Sequence, residues 1–261
     1  MTEVRPFVRQ RDPRIFALHP SAMRATYEKR EVRPSSVDDG IGIVCIDGPL
    51  DHKGGSWFDD YECIVQRYKD LMFDDQVRAV LLKIDSPGGD AAGLNETANA
   101  MIRCKLEAKK PVYAYADEGA YSAAYALACA ADFIVLPEPG GLGSIGVIAA
   151  LVSFVRQTEE AGIDLELVYN GDYKTDGNPD APITDQSRKH LQRRVDQLAG
   201  IYHELVAGSR GMSVAKVRAL QADTFYGYDA LDAGLADDVM SLEMLLTVIR
   251  ARLDGGRRAT A

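Results

Sequence analysis

The sequence predicts an α/β fold: parallel strands joined by right-handed crossovers, with a helical C-terminal part. Three observations carry this. Strand-like and helix-like segments alternate from residue 41 to residue 171. The run VRAVLLKID (77–85) is apolar almost throughout, as a strand covered on both faces is. After Thr184 the pattern turns helical and stays so.

Taken in order, residues 1–38 are polar and irregular, with prolines at 13, 20 and 34 and an apolar patch at 15–18. They read as an arm. IGIVCIDGPL (41–50) is β-rich and stops at a Gly-Pro turn. Residues 57–72 carry Trp57, Tyr61, Ile64, Val65, Tyr68, Leu71 and Met72 at helical spacing. The strand at 77–85 ends on Ser86-Pro87-Gly88-Gly89. Helix is expected at 94–108, strand at 111–117, helix at 122–131, strand at 133–139, helix at 153–161 and strand at 165–171. Residues 186–208 keep Leu191, Val195, Leu198, Ile201, Tyr202 and Leu205 on one stripe of a long amphipathic helix. Shorter helices follow at 214–220, 228–233 and 242–253. The organisation is therefore an arm (1–38), one domain (39–245), and a helix end with a disordered tail (246–261).

The net charge of −9 argues against a nucleic-acid partner, which needs a basic footprint. No apolar run is long enough to span a membrane, and the charged N-terminus has no signal-peptide core. Cys45, Cys63, Cys104 and Cys129 form no CxxC pair. Cys45 and Cys129 sit in apolar patterns and read as small buried hydrophobes, a metal or disulfide role is not expected, and a reducing cytoplasm fits. No motif calls for a cofactor, and neither HExxH nor GxxxxGK[ST] occurs.

Chemistry concentrates between Ser86 and Val147, in SPGGDAAGL, EGAYSAAYALACAAD and GGLGSIGV. Ser122 opens an alanine-rich helix after a strand, where backbone dipoles favour developing negative charge and small neighbours admit a polypeptide. An N-cap serine gives the same pattern. The Gly88-Gly89 turn can aim an amide into a cavity, and one such N–H with that of Ala123 makes a two-donor oxyanion hole. A plain turn is the alternative. Lys174, in YNGDYKTDGNPDAP, is a candidate base, provided its acidic neighbours face away from the amine. A solvated loop lysine is the bland reading. Ser144, in GSIGV, could orient that amine or cap a turn. Among His19, His52, His190 and His203, only His52 sits in a loop near a strand end.

Together IDSPGG, GAYSAAYALACAAD, GSIGV and the downstream YK resemble the signal peptide peptidase A family, a serine–lysine group. The resemblance spans about residues 40–240 and includes FYGYDALDAGLADDV. With its PRIFALHPSAM lead-in and no anchor, the chain is more similar to the phage and prophage members, which process capsids. The resemblance implies a crotonase-like, Clp protease-type fold of repeated ββα units. It implies Ser122 as nucleophile, Lys174 as general base, Gly89 and Ala123 as oxyanion donors, and Ser144 beside the lysine. It also implies a polypeptide substrate, a homo-oligomeric ring, a host cytoplasm and no cofactor. The missing anchor speaks against a literal signal-peptide role. With no scaffolding tail after Ala261, a self-cleaving scaffold fusion is not expected.

Two rival functions remain open on sequence. A crotonase-type acyl-CoA enzyme would use the same two amides on a thioester without needing Ser122 or Lys174. A non-catalytic ring-forming assembly protein would keep the fold alone.

Overall fold

The computed structural model describes residues 4–6, 15–23, 26–28, 33–53 and 59–259. Near the N-terminus, β1 (Val4–Pro6) pairs antiparallel with β3 (Thr26–Glu28), and β2 (Phe16–Leu18) lies between them in sequence. β4 (Ser36–Asp38) then folds antiparallel onto β5 (Ile41–Asp47). The short strands β6 (Leu50–Asp51) and β7 (Asp59–Asp60) follow and lead into α1 (Tyr61–Met72). Asp60 caps that helix by accepting from Cys63 N.

β8 (Ala79–Ser86) pairs parallel with β5, and β9 (Gly88–Asp90) continues from it before α2 (Leu94–Ala108). β10 (Val112–Tyr121) pairs parallel with β8 and leads directly to Ser122 and α3 (Ala123–Ala128). β11 (Phe133–Leu136) and β12 (Gly141–Gly143) both pair parallel with β10, at opposite ends of that long strand. α4 (Val155–Glu160) and α5 (Asp185–Arg210) come next, then α6 (Val214–Ala219), β13 (Thr224–Tyr226), α7 (Gly227–Asp232), β14 (Asp238–Val239) and α8 (Leu242–Ala259).

The main sheet runs β13-β12-β10-β8-β5-β4, with β11 on β10 and β14 on β11. A second sheet runs β2-β9-β6-β7, and its β9 follows β8 of the main sheet in the chain. The two-sided burial read from VRAVLLKID is observed. Val80, Leu82 and Ile84 pack with α1, α2 and α3, while Ala79 and Leu81 face Leu245 and Ile249 of α8. α5 begins with a capping box between Thr184 and Ser187 and ends at Gly211, whose φ of 61° closes the helix.

Four expectations need correction. The chain after Thr184, expected to stay helical, also supplies β13 and β14 to the main sheet. Residues 165–171 form no strand and have no ladder partner among the described residues; Leu165, Val168 and Tyr169 are exposed there. β-propensity reflects packing on a pleated surface, and this exposed segment packs on none. α3 is shorter than the expected 122–131. α8 continues past residue 253 to Ala259, so the expected tail begins later, and residues 260–261 lie outside the described part. The first turn of the helix expected from residue 57 also falls partly outside it.

Candidate active site

Ser122 sits at the junction of β10 and α3 with no exposed surface. Its backbone has φ 52° and ψ −119°, a conformation that a residue with a Cβ adopts only when the surroundings impose it. Those surroundings are visible. Ser122 N donates to Gly143 O at 2.8 Å, and Ser122 O accepts from Ala126 N at 3.1 Å and from the buried hydroxyl of Tyr202. The side chain makes no N-cap bond, so the capping alternative fails. Its Oγ has one weak contact, to Gly146 O at 3.4 Å.

The glycine turn lies against this junction. Gly88 has φ 97°, and a methyl group built on it would stand 2.9 Å from Tyr121 O and 3.0 Å from Ala123 N. One built on Gly89 would meet Leu50 O at 1.9 Å. Only glycine fits at either position, and the fit brings the backbone of β9 beside the amide of Ala123. That amide is the first of α3, so no helical carbonyl precedes it to accept its hydrogen. The small size of α3 means that this single donor, rather than a helix field, is what the site offers.

Lys174 lies in a turn closed by Lys174 N donating to Gly171 O at 3.0 Å. Its side chain is exposed and makes no hydrogen bond or ion pair with Ser122 or Ser144 among the described residues. The structure thus brings Gly88, Gly89, Ala123 and Ser122 together, and among the described residues no bond joins Lys174 to them. Of its acidic neighbours, Asp176 is hydrogen-bonded to His190 Nδ1 at 2.8 Å. Ser144 is buried, has φ 52°, and is held through Ser144 N donating to Asp223 O at 2.8 Å.

His52, the histidine weighed as a base, is held by its backbone N on Asp90 Oδ2 at 2.9 Å, and its Nδ1 is buried without a partner. His203 is pushed below its ordinary value by burial. All four cysteines are free, Cys63 is exposed and Cys45 only half-buried, and no metal-binding cluster occurs among the described residues.

The model of peptidase family S49 matches residues 104–254, which contain Ser122, Ala123, Ser144 and Lys174. The chain belongs to that family. The S49 chain is 36% identical over 235 residues to the head-tail preconnector protein GP5 of Enterobacteria phage P21, covering 88% of this chain and 46% of that protein. It is 32% identical over 240 residues to the capsid assembly protease C of Escherichia phage lambda, covering 87% and 54%. The chain thus spans about half the length of these two relatives. In fold it is similar to a candidate enoyl-CoA hydratase/isomerase from Acinetobacter baumannii, with a TM-score of 0.50 at 13% identity over 85% of this chain and 80% of that one. The crotonase-like fold expected from the sequence is therefore observed, and at that identity the likeness speaks for fold alone.

Two features of the S49 site were not found by sequence reasoning. Tyr202 was read only as part of an apolar stripe, and nothing in the stripe signals where its hydroxyl goes. The arm was read as irregular, yet its apolar patch lies in β2 on the Gly88-Gly89 strand. Pairing between segments so far apart in sequence leaves no local pattern.

Proposed function

We propose that this chain is a serine endopeptidase working through a Ser122–Lys174 dyad. The observation that carries the reading is the buried, strained Ser122 beside the Gly88-Gly89 backbone and the amide of Ala123, in a chain of a peptidase family. In the proposed reaction neutral Lys174 takes the Ser122 proton as Oγ attacks a peptide carbonyl. The amides of Gly89 and Ala123 receive the oxyanion, and Ser144 orients the lysine. Lys174 then protonates the leaving amine, and water hydrolyses the acyl-enzyme.

The relatives' names extend the proposal to processing of phage or prophage capsid or scaffold proteins in a host cytoplasm. No helix among the described residues is long and apolar enough to cross a membrane. We assign residues 39–245 as the peptidase domain and residues 1–38 as its arm. We also propose a homo-oligomeric ring whose assembly carries the Lys174 turn to Ser122. Exposed Ile163, Leu165, Val168 and Tyr169, just before that turn, are the support for it.

The test is covalent capture. A fluorophosphonate should add one mass equivalent to the wild type at Ser122, identified by peptide mapping, and none to Lys174→Ala. Equal labelling of both proteins would exclude the dyad, and labelling elsewhere would exclude Ser122. The acyl-CoA alternative gives Ser122 no role and leaves its strained backbone unexplained.

A further inference from the structure

Residues 15–19 of the arm are hydrogen-bonded on both edges. On one side β2 runs antiparallel to β9, with Phe16 opposite Asp90, Ala17 opposite Gly89 and Leu18 opposite Gly88. On the other side Phe16 N donates to Ile148 O at 2.9 Å, and Ile148 N donates to Phe16 O at 2.8 Å. Phe16 and Ala17 have no exposed surface and Leu18 almost none. An extended segment completing a sheet between two edges is how a binding cleft holds a peptide.

The register fixes which carbonyl of the segment meets the Gly89 amide. Ala91 N donates to Ile15 O at 3.0 Å, and His19 N donates to Pro87 O at 2.7 Å. Hydrogen-bonded pairs alternate in an antiparallel ladder, so Ala17 and Gly89 form the hydrogen-bonded pair between those two. The Gly89 N–H therefore points at the carbonyl oxygen of Ala17. The same oxygen stands 2.3 Å from a methyl group built on Gly88, which itself would be 3.0 Å from Ala123 N. The Ala17 carbonyl thus lies on the Gly89 amide proposed as an oxyanion donor, with the Ala123 amide on the other side of Gly88. Ala17 also borders a cavity of about 290 Å³ lined by Ala91, Leu94, Val147, Leu198 and Tyr202.

We propose that the Ala17–Leu18 peptide bond is a self-processing site, and that the uncut arm fills the substrate cleft until it is cleaved. The proposal rests on the serine peptidase reading above. Ser122 Oγ attacks the Ala17 carbonyl carbon and forms an ester as the bond to Leu18 N breaks. The serine proton passes through Lys174 to Leu18 N, which leaves as an amine. Water then hydrolyses the ester, restoring Ser122 and leaving an Ala17 carboxylate.

The experiment follows the intact mass and N-terminal sequence of the full chain during incubation, with carboxymethylated casein added in a parallel reaction. Wild type should convert to a chain beginning at Leu18, and Ser122→Ala should stay whole. Leu18→Pro removes no ladder bond, because Leu18 and Gly88 are the non-hydrogen-bonded pair. It keeps Ser122, should also stay whole, and should cleave casein at least tenfold more slowly than processed wild type. A wild type that cleaves casein but keeps Ala17–Leu18 intact overturns the processing site and leaves the peptidase reading standing. A wild type that does neither overturns both. A cut at another bond, or the same cut in Ser122→Ala, also overturns the proposal.

Discussion

The hydroxyl of Tyr202 donates to the carbonyl oxygen of Ser122. That carbonyl and the N–H of Ala123 belong to one peptide plane, so a tyrosine on α5 holds the direction of the amide proposed as an oxyanion donor. The bond also polarises the peptide group toward a stronger donor. The plane is tethered twice, since Ala126 N binds the same oxygen.

Tyr202→Phe therefore leaves the carbonyl satisfied and removes only the lateral tether. Its stability loss should be about 1 kcal/mol in urea denaturation, that of one net hydrogen bond. Its kcat should fall about tenfold with KM little changed, less than the 10²–10³ of deleting a donor outright. An unchanged kcat would show that the plane is held by α3 alone.

Gly89→Ala tests the closeness of β9 to β6. The added methyl group would meet Leu50 O at 1.9 Å, and both partners are backbone, so one strand must move. The expected stability loss is about 3 kcal/mol or more, with cleavage lost as the amide shifts. A variant of wild-type stability would mean that β9 can slide, and the glycine would then have no packing reason.

Parts of this site are legible in sequence and parts are not. Helix α2 matches its expected bounds because Leu94, Ala98 and Met101 sit at helical spacing on a buried face. Ser122 is legible because small residues crowd one strand-to-helix junction. β12 is not, since Gly141-Leu142-Gly143 has no β-propensity and exists through its ladder to β10. The opposite error occurs at residues 165–171, where β-rich composition finds no partner. The arm's place depends on a pairing between residues 16–18 and 88–90, which no periodicity encodes. Lys174 is an ordinary turn lysine by every local measure.

Asp59 supplies a pH test of the buried ion pair behind the second sheet. Burial pushes its carboxyl up to about 6, against the pull of Arg67, which is bound to it. Its Oδ1 has no partner. A folded value above the ordinary 3.8 means that the carboxylate weakens the fold above pH 6 and that this penalty fades as pH falls toward 4. The stability of wild type minus that of Asp59→Asn should rise by about 2 kcal/mol between pH 7 and pH 4.5. A flat difference would mean that Arg67 compensates the burial.

Val168, 93% exposed in a segment with apolar neighbours, is the probe for assembly. Wild type should sediment as an oligomer, and Val168→Asp should shift it toward monomer and lower cleavage in parallel. Monomeric wild type would remove the proposed route by which Lys174 reaches Ser122.

The most direct measurement is peptide-bond cleavage by wild type, Ser122→Ala, Lys174→Ala and Lys174→Arg on an unfolded protein and a mixed peptide library, with products read by mass spectrometry. The arginine variant keeps the charge but cannot act as a base. The expected result is cleavage by wild type alone, with all three variants folded and reduced at least 10³-fold, as loss of a nucleophile or its base requires. Equal cleavage by Lys174→Ala and wild type would contradict the dyad, and equal cleavage by Ser122→Ala would contradict the site itself.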